Sequence, residues 1–220
     1  MDNPFIIITS TGNEDVVDRV EERIDTQMYI NEIINEGGIL LIKGDPGVGK
    51  STIINWIVND VKKTQNLDVI KDTFTPAMLA KIKGLSIRQG KKLLIILDDF
   101  NNVILLNKSQ QADTINVLNM LANNKVGVIV IDNRADKQID KMMVGIKAKM
   151  HVMSIKGLKD EDIKRIIINR LNEVRKVKSD SLSPFTEEEI SKILKRVRGN
   201  VRAALLICAA LYDTKQEKLV

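Results

Sequence analysis

The segment Gly44-Asp45-Pro46-Gly47-Val48-Gly49-Lys50-Ser51-Thr52 constrains this chain more than any other. It follows the apolar run Ile39-Leu40-Leu41-Ile42 and precedes Ile53-Ile54-Asn55-Trp56-Ile57-Val58, a run compatible with a helix. The order is a buried strand, a glycine-rich turn and a helix start, the context that the pattern GxxxxGK[ST] requires. Glycines let backbone N–H groups curl around phosphate oxygens with no Cβ in the way. A helix beginning near Gly49 points the positive end of its dipole at the same phosphates. Lys50 supplies a mobile charge for the β- and γ-phosphates, and the Ser51 hydroxyl suits Mg²⁺. All nine residues from Gly44 to Thr52 are therefore expected to bind a nucleoside triphosphate. An ordinary glycine-rich turn is the alternative, and both flanking patterns argue against it.

A second strand, Leu93-Leu94-Ile95-Ile96-Leu97, ends in Asp98-Asp99. Five apolar residues without alternation read as a strand buried on both faces, as in a parallel sheet. Ligands of open α/β sheets sit at the carboxyl ends of strands. Asp98 is thus expected in the Mg²⁺ shell beside Ser51, and Asp99 at an attacking water. A third run, Val126-Gly127-Val128-Ile129-Val130-Ile131, leads into Asp132-Asn133-Arg134. Asn133 both donates and accepts hydrogen bonds, which suits contact with a γ-phosphate or its water, and it equally suits a plain turn. Far downstream, Arg198-Gly199-Asn200-Val201-Arg202-Ala203-Ala204-Leu205 starts a helix after Gly199 closes the preceding one. Arg202 falls in its first turn; in isolation it reads as a solvated surface cation.

These four segments together resemble an AAA+ ATPase. Gly44 to Thr52 matches Walker A, Leu93 to Asp99 matches Walker B, and Asn133 stands where sensor 1 stands. Gly199-Asn200-Val201-Arg202-Ala203 matches the sensor 2 pattern GxxRxA, and the resemblance spans nearly the whole chain. Within AAA+ proteins it is most similar to initiators and helicase loaders of the origin-recognition, DnaA and DnaC types. Asp98-Asp99-Phe100 resembles the paired acids of DnaA-type Walker B motifs, and Asp132-Asn133-Arg134 the polar-polar-Arg sensor 1 segment. The resemblance implies ATP and Mg²⁺ as cofactors. It gives Asp99, Lys50, Asn133 and Arg202 catalytic roles, and Ser51 and Asp98 the metal. It further allows ATP-dependent assembly of several copies. Two departures stand out. Asp99 occupies a position where many AAA+ proteins carry Glu, which implies slow hydrolysis. The segment 137–150, where an arginine finger is expected, holds lysines, Lys141, Lys147 and Lys149 among them, but no arginine.

The expected fold is α/β: a P-loop core over 1–155, with a parallel sheet flanked by helices, followed by a three-helix lid over 156–220. Expected helices lie at 14–35, with Val17, Val20, Ile24 and Met28 on one face, and at 76–83, 109–123 and 137–147. Short strands are expected at 67–70 and 150–155. In the lid, Ile163, Ile166, Ile167, Arg170, Leu171 and Val174 form one helical stripe, and Ile190, Ile193, Leu194 and Val197 another. Thr186-Glu187-Glu188-Glu189 has capping-box spacing. Residues 5–9 are short and apolar; in AAA+ proteins such a segment lies near the adenine pocket. One cysteine and one histidine cannot build a zinc site. Cys208 reads as a core residue of a reducing cytosol, so a cytoplasmic location is expected. Residues 1–10 lack a basic n-region, and no run is long enough for a membrane span.

Charge is uneven. Residues 141–220 carry 18 Lys and Arg against 10 Asp and Glu, whereas 1–140 carry 16 against 19. A basic lid suits DNA or RNA phosphates; a solvated lysine-rich surface explains it equally well. Within these residues no helix-turn-helix or winged-helix module accompanies it, so a separate reader of duplex sequence is not expected. Two function classes follow. One is an ATPase acting on DNA or a DNA-bound partner, as an initiator, helicase loader or transposition-type regulator. The other is a slow, nucleotide-gated switch resembling STAND signalling ATPases, with a protein partner and no nucleic-acid contact. A small-molecule kinase would leave the Arg202 helix without a purpose, and no LSGGQ-like signature supports an ABC ATPase.

Overall fold

The computed structural model describes residues 3–6, 19–84, 91–134 and 137–217. In order, the elements are α1 (Val20–Glu36), β1 (Gly38–Lys43), α2 (Lys50–Thr64), β2 (Leu67–Thr73), α3 (Pro76–Lys83), β3 (Lys92–Asp98), a 3-10 turn (Phe100–Leu105), α4 (Lys108–Asn123) and β4 (Gly127–Asp132). Then come α5 (Lys137–Met143), β5 (Met150–Ser154), α6 (Asp160–Val174), α7 (Glu187–Val197) and α8 (Val201–Glu217). The chain divides into two compact units. One comprises Val20–Asp45 and Ile53–Ile155; the other gathers the described residues of Met1–Arg19, Pro46–Thr52 and Lys156–Val220.

The first unit is built on a five-stranded sheet in the order β2-β3-β4-β1-β5. Every pairing is parallel. Strands buried on both faces need apolar side chains at successive positions, and Ile39 to Ile42, Leu94 to Leu97 and Val128 to Ile131 are all essentially inaccessible. Parallel pairing brings the carboxyl ends of β1 and β4 level, with Lys43 opposite Asp132, and the end of β2 level with β3, with Thr73 opposite Asp98.

Helix α1 forms, but with a different buried face from the expected one. Thr26, Ile30, Ile33 and Ile34 are buried, while Val20, Ile24 and Met28 are each more than half exposed; Val17 lies outside the described residues. The two stripes are two residues out of phase, about 200° around a helix, so only one can meet the sheet. The Ile-rich one does. Helix α5 is shorter than its expected span to 147 because the chain turns at Gly145, whose N–H bonds to the Met142 carbonyl at 3.0 Å. Strand β2 runs on to Thr73, beyond the expected 67–70.

The second unit centres on α6, α7 and α8. Ile163, Ile166, Ile167, Leu171, Ile190, Ile193, Leu194 and Val197 are buried together, as their spacing predicts. Thr186 caps α7 through its side chain, accepting from the Glu189 N–H at 3.2 Å, while the Glu189 carboxylate accepts from the Thr186 N–H at 2.8 Å. Phe5 belongs to the same core, with ring centroids 5.6 Å from Phe185 and 5.9 Å from Tyr212; Ile7 to Thr9 lie outside the described residues. Cys208 is buried there too, and burial pushes its thiol up to about 12.

Candidate nucleotide site

Strand β1 delivers the chain into the phosphate loop, and backbone conformation explains the glycines. Gly47 and Gly49 have φ of +81° and +96°, a region costly for any residue with a Cβ. A Cβ at Gly47 would collide with Asn200 Oδ1 and lie 3.0 Å from Arg202 Cβ. At Gly49 it would meet nothing within 4 Å among the described residues. The loop is therefore packed at Gly47 and open at Gly49, which fits a group as bulky as a phosphate beside the start of α2. Lys50, first residue of α2, is 4% exposed. Ser51 and Thr52 follow it in the first turn, half-buried.

Three consecutive loop carbonyls are engaged within the second unit. Asn200 Nδ2 donates to the Pro46 carbonyl at 2.9 Å. The Arg202 N–H donates to Gly47 at 3.3 Å. Arg19 Nη2 donates to Val48 at 2.8 Å. The turn between α7 and α8 sets this up. Arg198 and Gly199 adopt φ of +48° and +84°, ending α7 and delivering Asn200 to the start of α8. Asn200 Oδ1 accepts from the Ala203 N–H at 3.0 Å, so its oxygen caps the helix while its amide holds the loop. Gly199 lies against Gly157, where a Cβ would come 2.9 Å from the Gly199 Cα, and the Leu158 N–H donates to its carbonyl at 3.0 Å. Arg19 is 5% exposed and also donates to the Lys156 carbonyl at 2.8 Å. The Arg202 side chain itself is exposed in the first turn of α8.

In the sheet unit, β3 and β4 bring Asp98, Asp99 and Asn133 together. Asn133 Nδ2 donates to Asp99 Oδ1 and lies 3.4 Å from Asp98 Oδ1. The Asp99 N–H donates to Asp98 Oδ1 at 2.9 Å. Asp99 sits at φ +50°, a left-handed conformation that Asp tolerates better than most residues. It turns β3 into the 3-10 turn, anchored by fully buried Phe100, whose ring meets Phe74 edge-on at 4.9 Å. On β4, fully buried Asp132 accepts from the Arg134 N–H at 2.9 Å. That local turn presents Asn133 to the two acids.

The sequence motifs thus divide between the units. Gly44, Asp45, Asp98, Asp99 and Asn133 belong to the sheet unit; Pro46 to Thr52 and Arg202 belong to the other. Among the described residues no cluster of three or more His, Cys, Asp or Glu could hold a metal by itself. Ser51 and Asp98, the two residues expected at Mg²⁺, fall in different units. Sequence reasoning missed Arg19 and the double role of Asn200. Asn is a common N-cap, which marks Asn200; nothing in the residue pattern marks Arg19.

Comparison with known proteins places this geometry. The family model described as Novel STAND NTPase 3 matches residues 26–173. No curated protein matches the chain. Among solved structures it is similar to Drosophila ORC bound to DNA, with a TM-score of 0.71, 16% identity, 96% of this chain covered and 59% of that one. The Cdc6p structure from Pyrobaculum aerophilum gives 0.65, 15%, 99% and 67%. ORC2 from Aeropyrum pernix, a complex with ADPNP and ADP, gives 0.62, 16%, 93% and 64%. The chain therefore spans about six-tenths of the Drosophila ORC chain. The fold is the P-loop NTPase fold of these AAA+ proteins, as the initiator-like motifs imply. Among the described residues no helix is long and apolar enough to cross a membrane.

Proposed function

The chain belongs to the Novel STAND NTPase 3 family, and on that premise we propose that it is a nucleotide-gated switch. It binds ATP with Mg²⁺, hydrolyses it slowly, and changes its hold on a protein partner with nucleotide state. The observation that carries this reading is the engagement of Pro46, Gly47 and Val48 by Asn200, Arg202 and Arg19. A phosphate loop tied to lid residues gives nucleotide a direct mechanical route into residues 156–220, here taken as the lid to a core of 1–155. Gly44 to Thr52 receive the phosphates, with Lys50 on the β- and γ-phosphates. Ser51 and Asp98 would hold Mg²⁺, which would supply charge neutralisation for phosphoryl transfer. Asp99 orients the attacking water, and its link to Asn133 fixes the carboxylate that does so. Arg202 reaches the γ-phosphate and makes the lid sensitive to ATP over ADP. The short Asp99 side chain and the absence of arginine in 137–150 favour slow turnover in a cytoplasmic setting.

A second reading retains DNA or a DNA-bound protein as the partner, with the chain acting alone or as an ATP-dependent homo-oligomer. The excess of 18 basic over 10 acidic residues in 141–220 favours it, and the similar Drosophila ORC was solved bound to DNA. Against it, the acids opening α7 pair with lid lysines: Glu187 with Lys164 at 2.8 Å, Glu188 with Lys192 at 2.7 Å and Glu189 with Lys215 at 2.9 Å. Such pairs occupy three of the 18 cations, so phosphates would have to displace their acids.

Two titrations test the choice. Arg202→Ala is expected to erode the preference for ATP over ADP by about tenfold or more, the value of one charge-assisted hydrogen bond. An unaltered preference reduces Arg202 to a surface cation. Fluorescence anisotropy at low salt with ATP is expected to show no DNA binding. Salt-sensitive, sequence-independent binding, weakened by charge reversal at Lys195, moves the function to the second reading.

A further inference from the structure

Three successive carbonyls of the phosphate loop are held by three donors that none of the nucleotide-binding motifs requires in that role. In a trans peptide the C=O and N–H bonds point in opposite directions. Fixing the carbonyls of Pro46, Gly47 and Val48 therefore fixes where the N–H groups of Gly47, Val48 and Gly49 aim. Two of these donors are side chains. Asn200 is pinned at both ends, its oxygen capping α8 and its amide on Pro46. Arg19 is buried and divides one guanidinium nitrogen between the Val48 and Lys156 carbonyls. Burying an arginine on main-chain carbonyls is costly unless its hydrogen bonds are made, so the Arg19 contacts are a built feature of the loop. Lys156 is where the lid segment of the second unit starts, so Arg19 joins the phosphate loop to the first residue of that segment.

We propose that Arg19 and Asn200 are positioning residues for the phosphate loop. They hold its carbonyls on the lid side so that its N–H groups converge on a nucleotide's phosphates, and they set how long the nucleotide stays. The proposal rests on the nucleotide-site reading above. Neither side chain is asked to touch the ligand; both act through loop geometry. Their loss is therefore expected to appear first in nucleotide release.

The test is the dissociation rate of a fluorescent ADP analogue, chased by unlabelled ATP in stopped flow, with melting of the nucleotide-free chain followed alongside. Asn200→Ser keeps an oxygen to cap α8 and withdraws the amide donor. Release is expected to quicken about five- to tenfold, the value of one hydrogen bond. Arg19→Ala is expected to quicken it about tenfold or more. Arg19→Lys should recover part of the effect, because a compact ammonium keeps the charge without the planar fork. A purely structural role would instead lower the melting temperature of the nucleotide-free chain and leave release unchanged, and that result overturns the proposal. If one variant fails to fold, the other decides. Lys50→Ala separates the two layers. If wild type holds no nucleotide, or Lys50→Ala holds it as tightly as wild type, the nucleotide-site reading fails and the positioning proposal falls with it. If Lys50→Ala loses nucleotide while Arg19→Ala and Asn200→Ser release it at the wild-type rate, only the positioning proposal fails.

Discussion

The two units arrange their polar groups in opposite ways. In the sheet unit, strand ends bring side chains onto one another: Asn133 meets Asp99 and Asp98, and Asp132 turns back on the Arg134 N–H. In the unit holding the phosphate loop, the decisive contacts run from donors to main-chain carbonyls, at Pro46, Gly47 and Val48. The first arrangement suits chemistry, because carboxylate and amide identities determine what can be polarised. The second suits coupling, because a carbonyl is present whatever the residue and the geometry of its donor carries the information.

Substitutions can break this comparison at either end, and the largest effect is expected in the sheet unit. Asp99→Asn should leave ATP affinity within about twofold and slow hydrolysis about 100-fold or more, the usual worth of a group that assists proton transfer. A single-turnover assay beside an equilibrium titration decides it, and hydrolysis at the wild-type rate removes Asp99 from the chemistry.

A smaller effect is expected in the lid. Thr186→Ala removes one half of the reciprocal cap on α7 and should cost about 1 kcal/mol of stability, measured by denaturant unfolding, with ATP hydrolysis in the folded chain unchanged. A hydrolysis rate that falls with the cap would make the lid part of the chemistry and blur the distinction between the units.

The smallest effect is expected on an exposed face of the sheet unit. Lys149 on Glu32 holds that carboxyl below its usual range. A carboxyl lowered in the folded state contributes stability that is present above its ordinary value and lost as pH falls through the lowered one. Glu32 is half-buried but Lys149 is largely exposed, so water screens the pair and the contribution is small. Lys149→Ala should slightly flatten the acid limb of a melting-temperature profile between about pH 5 and 3 and leave neutral pH nearly unchanged. An identical acid limb would remove this pair from the pH response.

What the sequence makes legible follows the same division. The phosphate loop, the acids after β3 and the capping box at Thr186 announce themselves because the residue type is what the structure uses. Helix α1 shows where pattern fails: it carries two apolar stripes on opposite faces. Choosing between Val20-Ile24-Met28 and Ile30-Ile33-Ile34 needs the sheet that only one of them meets. Arg19 is illegible for a different reason. Its partners are carbonyls of residues 29 and 137 positions away, and carbonyls leave no trace in a sequence. Asn200 is half legible, since its capping oxygen follows a known preference while its amide bond to Pro46 does not.

The central claim, a slow switch rather than a DNA-driven motor, is tested most directly by steady-state ATP turnover of the purified chain, alone and with single- or double-stranded DNA. The account predicts turnover far below the roughly 10 s⁻¹ of a typical enzyme, unchanged by either DNA at low salt. Fast turnover, or stimulation of tenfold or more by DNA, would contradict it.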